Sequence, residues 1–171
     1  SSETGNTGGT MNSTATLLYV GDNAQDKQYK SLLSFNTAGL LDNAIVTKVQ
    51  LMIKVQGFAG GNMFTPIKTL GNLLIDIRKP YFGTSAGLVV GDFQAGASKN
   101  GVGVLGSVPG TGWRTITLNN TAYPFVNLTG TTQFRLRFQI DDNDDLGADY
   151  LKIYSSNADA ASRPQLIVEY Y

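Results

Sequence analysis

Two stretches of unbroken alternation limit what this chain can fold into. In residues 133–141, Phe134, Leu136, Phe138 and Ile140 alternate with Gln133, Arg135, Arg137, Gln139 and Asp141. In residues 46–56, Val49, Leu51, Ile53 and Val55 alternate with Lys48, Gln50, Met52, Lys54 and Gln56. A period of two places one set of side chains on each face of a strand, so both stretches predict strands with one buried face. The rest of the chain repeats the theme on a smaller scale. Short apolar runs at 17–20, 29–35, 72–79, 102–108, 113–118, 150–154 and 165–171 are separated by turn residues such as Gly21-Asp22-Asn23 and by Pro80.

About nine strands with turn signals between them predict an all-β fold, a two-sheet antiparallel sandwich or jelly roll. At most one or two short helical turns fit, one of them near residues 92–95 with Asp92 as N-cap. Residues 57–71 and 119–128 read as connections. The expected core is Phe35, Leu51, Ile53, Ile75, Phe134, Leu136, Phe138, Leu151, Ile153, Leu166 and Val168. The 171 residues suit one domain burying ~70% of its unfolded surface. No repeat or linker divides them after residue 16, so 17–171 reads as a single sandwich and 1–16 as a polar arm.

Composition excludes more than it suggests. The chain has neither Cys nor His. It therefore has no disulfide, thiolate nucleophile, Cys/His zinc site or Ser-His-Asp triad. Lys plus Arg equals Asp plus Glu at 13 each, which leaves no field to draw nucleic acid. No apolar run reaches the ~18 residues of a membrane helix. The chain starts without Met or a signal peptide, as a processed or trimmed product does. No constellation of catalytic groups stands out, and the reading is non-enzymatic.

Three groups of residues are candidates for chemistry. Asp141, Asn143, Asp145 and Asp149 cluster oxygens between two strands, the kind of turn that holds a structural calcium. The alternative is that these groups are solvated or paired with Arg135, Arg137 and Lys152. The helix-loop-helix calcium pattern fails, with Leu146 at its glycine position and Lys152 at its glutamate position. Trp113, Tyr81, Phe82 and Tyr123 lie near turns or strand ends, where flat rings stack on sugars, although aromatics in a sandwich are more often core. Asn12, Asn119 and Asn127 each begin an N-glycosylation sequon.

The segments YKSLLSFNTAGLLDNAIVTKVQLMIK, GNLLIDIRKPYFGTSA, FQAGAS, GTTQFRLRFQIDDNDDLGADYL and SRPQLIVEYY together resemble the disaggregatase-related repeat domain family. The resemblance covers nearly the whole chain. It implies a non-catalytic β-sandwich of secreted or cell-surface proteins, related to carbohydrate-binding modules. Such domains usually begin with an additional strand ahead of the segment that matches Ser1 to Thr16, and this sequence shows none. A sandwich short of a strand has an open edge, which another copy can fill.

The sequence therefore predicts an extracellular structural subunit of a fibre or sheath, with other copies of itself as partners. Assembly would run through the arm residues Ser1, Ser2, Glu3, Thr4, Gly5, Asn6, Thr7, Gly8, Gly9 and Thr10, lying extended along a β edge. The alternative is a carbohydrate-binding module whose partner is an extracellular polysaccharide.

Overall fold

The computed structural model describes residues 6–62, 65–107 and 110–171. Ten strands form two antiparallel sheets. β1 (Leu17–Asp22), β2 (Gln28–Tyr29), β4 (Val46–Phe58), β7 (Gly112–Thr117), β9 (Asp149–Tyr154) and β10 (Gln165–Tyr170) build a six-stranded sheet. β3 (Ser31–Asn36), β5 (Leu73–Arg78), β6 (Lys99–Leu105) and β8 (Thr131–Phe138) build a four-stranded sheet in the order β3-β8-β5-β6. The sandwich expectation holds and the jelly roll does not. The sheets are neither curled nor closed on one another, and each keeps its own edges.

β4 is the spine of the larger sheet. Gln50 pairs with both Ile167 and Thr117, and Val55 with both Gly112 and Ile153. One edge of β4 therefore belongs to β7, while the other is shared end to end by β10 and β9. Its inward row, Val49, Leu51, Ile53 and Val55, is buried as the alternation requires. Facing it from the other sheet are Ile75, Phe134, Leu136 and Phe138, all buried. Leu151 and Ile153 complete the fully buried part of the expected core. Phe35 and Leu166 pack against this cluster from partly buried positions, and Val168 is half-buried. Gly103 allows the two layers to approach, because a Cβ there would lie 2.5 Å from Leu118 Cδ2.

Several expectations need correction. Ile140 falls beyond β8 and is exposed. Residues within 57–71 are not all loop: β4 runs on to Phe58, and Thr65–Leu70 forms a short helix, α1, with Pro66 in its first turn. Met63 and Phe64 lie outside the described residues. The turn near residue 92 is a 3-10 turn, Val90–Phe93, whose N-cap is Val89. Asp92 instead sits inside the turn and accepts the Val89 N–H at 2.9 Å. Among the described residues no helix is long and apolar enough to cross a membrane.

The largest departure concerns the outward row of β8, where Gln133 and Arg135 are buried too. The segment between β5 and β6 folds over this face and supplies polar partners. Gln133 accepts the Phe82 N–H and donates to the Ala86 carbonyl. Arg135 donates to the Ala95 carbonyl at 2.7 Å and lies 4.7 Å from the centre of the Phe82 ring. Asp76, fully buried on β5, receives Arg135 at 3.0 Å and Arg137 at 2.9 Å, together with the Gly101 N–H. Burial opposes its ionisation, but the Arg137 and Gly101 bonds and the two guanidinium charges outweigh that and hold its pKa below the ordinary value. Replacing one partner of such a group strands the other charges. Asp76→Ala should therefore lower stability by about 3–5 kcal/mol, read from urea denaturation midpoints. A loss below about 1 kcal/mol, the scale of a surface pair, would show that the triad does not hold the covering segment.

Candidate functional site

The two sheets end side by side at β1 and β3. β1 bonds β9 along one edge, while its other edge meets β2 only at Gly21 and Asp22. β3 bonds β8 along one edge, and no described strand pairs with the other. Ser31 Oγ ties the two strands at one point by donating to the Tyr19 carbonyl at 2.8 Å. Between them opens a cleft of about 410 Å³, with apolar walls that include Leu17, Leu18, Leu33, Phe35, Leu88 and Val90. An unpaired strand edge is a template for another strand. Two such edges around an apolar cleft form a slot for an extended peptide, with backbone pairing at the rims and side-chain burial at the floor.

One end of the slot is braced by rings. Tyr19, Tyr29 and Tyr150 form a mutual cluster with centroids 5.1–5.7 Å apart. Tyr29 and Tyr150 flank Gly21, which pairs with both. Gly21 has φ +128°, and a Cβ there would sit 2.0 Å from the Asp149 carbonyl oxygen. The glycine is needed for this close approach. Sequence reasoning passed over these tyrosines because they come from three separate segments. Their strands' registers alone bring them together.

Residues 6–16 of the arm rest on their own domain, and they do so through polar contacts. Asn157 Nδ2 donates to the carbonyls of Ser13 and Ala15. At the far end the Gly8 N–H donates to Gln94 Oε1 at 2.9 Å, and Lys30 Nζ donates to Asn6 Oδ1 at 2.7 Å. Thr10, Met11, Asn12 and Ser13 line the mouth of the cleft, and all four are exposed. None of residues 6–16 joins a ladder with β1 or β3, so the arm crosses the slot without adding a strand to its own domain. Ser1, Ser2, Glu3, Thr4 and Gly5 lie outside the described residues.

The acidic turn after β8 is fastened to the β1–β2 hairpin. Asp22, fully buried, accepts the backbone N–H groups of Asp149 at 3.2 Å and Asn143 at 3.4 Å. Asp26 accepts that of Leu146 at 2.9 Å. Asn143 Nδ2 donates to Asp145 at 2.9 Å and Asp149 at 3.4 Å. Of the four residues considered for calcium, three are brought together, with an amide donor between the carboxylates. Asp141 instead lines a separate pocket. Among the described residues no three acidic groups form a set able to hold a metal ion. Arg135 and Arg137, weighed as partners for the acidic turn, are bonded to Asp76 instead.

The aromatic candidates are scattered. Phe82 is fully buried beneath Arg135 and has no face for a sugar. Tyr123 packs against the core, and Tyr81 is half-buried in the covering segment. Trp113 lies on edge strand β7, where Lys54 Nζ is 5.9 Å from its ring and 5.5 Å from that of Tyr154. Of the sequon asparagines, Asn12 and Asn119 are exposed and cap turns by accepting from Thr14 and Thr121. Asn127 is buried, and its amide nitrogen donates to the Thr131 carbonyl at 3.1 Å rather than facing water.

No protein-family model matches the chain, and no curated protein matches it. The likeness to disaggregatase-related repeat domains therefore rests on the segments quoted above.

Burial pushes the Asp22 carboxyl up to about 6, reinforced by Asp149 and Asp145 and only partly opposed by its two backbone donors. The folded state thus favours the protonated form more than the unfolded chain does. This contribution is complete below the ordinary value of 3.8 and is lost as pH rises through about 6. The melting temperature of the wild type relative to Asp22→Asn should therefore rise by about 4–8 °C between pH 7 and pH 4.5. Parallel thermal melts of the two proteins check this, and a constant or reversed difference would contradict it.

Proposed function

We propose that this protein is a non-catalytic structural subunit that polymerises by strand exchange, each copy placing its N-terminal arm in the β1/β3 slot of the next. The observation that carries this reading is the pair of unpaired edges flanking one apolar cleft of about 410 Å³. A polar, extended arm suits such a slot because main-chain hydrogen bonds supply most of the affinity in strand addition. Small Ser, Thr and Gly side chains also let its backbone approach both rims. Strand exchange requires the arm to leave its own slot mouth, where its described polar bonds include those at Ser155, Asn157, Gln94 and Lys30. Net hydrogen-bond contributions of ~1 kcal/mol each can be exchanged for a ladder. A heterologous contact of this kind need not close, and it gives filaments. The resemblance noted in the sequence adds a cell-surface setting to the proposal.

The chain has no Cys, so single cysteines report contacts cleanly. One preparation carries Ser34→Cys on β3, and the other carries Thr10→Cys on the arm. Mixed and mildly oxidised, they should give a disulfide-linked heterodimer, whereas a control pair of Thr10→Cys with Thr115→Cys on β7 should not. Removing residues 1–10 should abolish filaments seen by electron microscopy and leave the melting temperature within about 2 °C, since none of residues 6–10 is buried. Filaments that persist without the arm, or equal cross-linking in the control, would refute strand exchange.

A further inference from the structure

A second pocket lies on the outer side of the four-stranded sheet, away from the apolar slot but sharing Lys30 and Phe93 with it. It measures about 310 Å³, at the small end of the range for ligand pockets. The charged groups lining it are Lys30, Arg135 and Arg137 against the single carboxylate of Asp141. Amides surround them: Gln28, Gln94, Asn100 and Gln139 also face the space. Behind the wall, Asp76 is the counterion for both arginines. Among the described residues no carboxylate lies within ion-pair distance of Lys30. Its ammonium bonds neutral oxygens there, Asn6 Oδ1 at 2.7 Å and the Phe93 carbonyl at 3.4 Å, and stands 4.0 Å from the Phe93 ring centre.

We infer that this pocket binds a single oxyanion, a carboxylate, sulfate or phosphate group, with Lys30 and Arg137 as donors and the amides as secondary partners. Arg135 contributes charge alone, because its donors are taken by Asp76 and by the carbonyls of Asp92, Phe93 and Ala95. Arg137 spends Nε and Nη2 on Asp76 and makes only a 3.4 Å contact from Nη1 to the Phe138 carbonyl. That guanidinium is partly exposed, so it keeps donor capacity toward the pocket. Lys30, Arg135 and Arg137 face Asp141 with Asp76 behind them, which leaves one positive charge in excess among these groups, and an incoming anion balances it. The state of Lys30 agrees: burial and then Arg135 and Arg137 push its pKa down to about 8, with Asp141 and Asp76 opposing. Oxyanions suit the site better than halides because several N–H donors converge on multiple oxygens.

The test compares sulfate and phosphate with chloride at matched ionic strength, using thermal melts of the full chain at pH 7. At tenfold excess over the dissociation constant, sulfate should raise the wild-type melting temperature by about 3 °C. Lys30→Gln keeps the stem over Phe93 and should lose most of that rise. For the wild type, the sulfate effect should shrink as pH climbs beyond about 8 and Lys30 loses its proton. Isothermal titration of sulfate into both proteins reads the same site independently of stability. Equal sulfate effects in wild type and Lys30→Gln, or no sulfate binding by either method, would overturn the assignment. Sedimentation in sulfate separates two sources of the anion. Weakened self-association identifies a carboxylate of a second copy as the natural occupant, and unchanged association identifies a free oxyanion.

Discussion

A single buried carboxylate organises the outer face of the smaller sheet. Asp76 stands between Arg135 and Arg137 on the neighbouring strand, at the register where β5 meets β8. Arg135 is thereby neutralised enough to be buried, and its remaining donors gather three carbonyls of the segment between β5 and β6. That segment, with its own Phe82 buried, then seals Gln133 beneath it. Isolated charges are not buried without such pairing. The covering segment also supplies Val90 to the apolar slot and Gln94 to the polar pocket, with Phe93 shared by both. Both sites therefore depend on one ionic arrangement, whose two arginines also line the polar pocket.

How much of this was legible in the sequence differs by level. Strands β4 and β8 follow directly from their alternation, because a period of two has no other compact use. The outward row of β8 was not legible. Gln, Arg and Arg at alternate positions look like a solvated face, and nothing local tells that a segment some forty residues earlier folds over them. The choice between open sandwich and jelly roll was equally hidden, since it depends on pairings such as Ser31 with Leu136, far apart in the chain. The six-residue helix at Thr65–Leu70 was lost among glycines that read as a loop.

The candidate sites show the same division. The acidic turn was visible as a cluster, but Asp142 and Asp145 accept from the turn's own backbone, and other N–H groups of the turn donate to Asp22 and Asp26 of the neighbouring hairpin. A count of oxygens cannot separate ligands from such caps. The polar pocket had no sequence signal at all. Lys30 between β2 and β3, Asn100 on β6 and Arg137 on β8 come from separate parts of the chain, and only the fold brings them together.

The sharing of one β4 edge by β10 and β9 has a consequence for how the chain reaches its fold. Lys48 meets Glu169, 121 positions later. The spine of the larger sheet thus stays half-bare until nearly all of the chain has been made. Pairings of such long range are slow, because loop closure must precede any gain from contact. During synthesis the apolar β4 strand is an open edge available to other nascent chains. The charges along it, Lys48 and Lys54 among them, discourage premature pairing during that interval. Strand β10 ends the exposure, so completion of this sandwich is timed by the emergence of that strand.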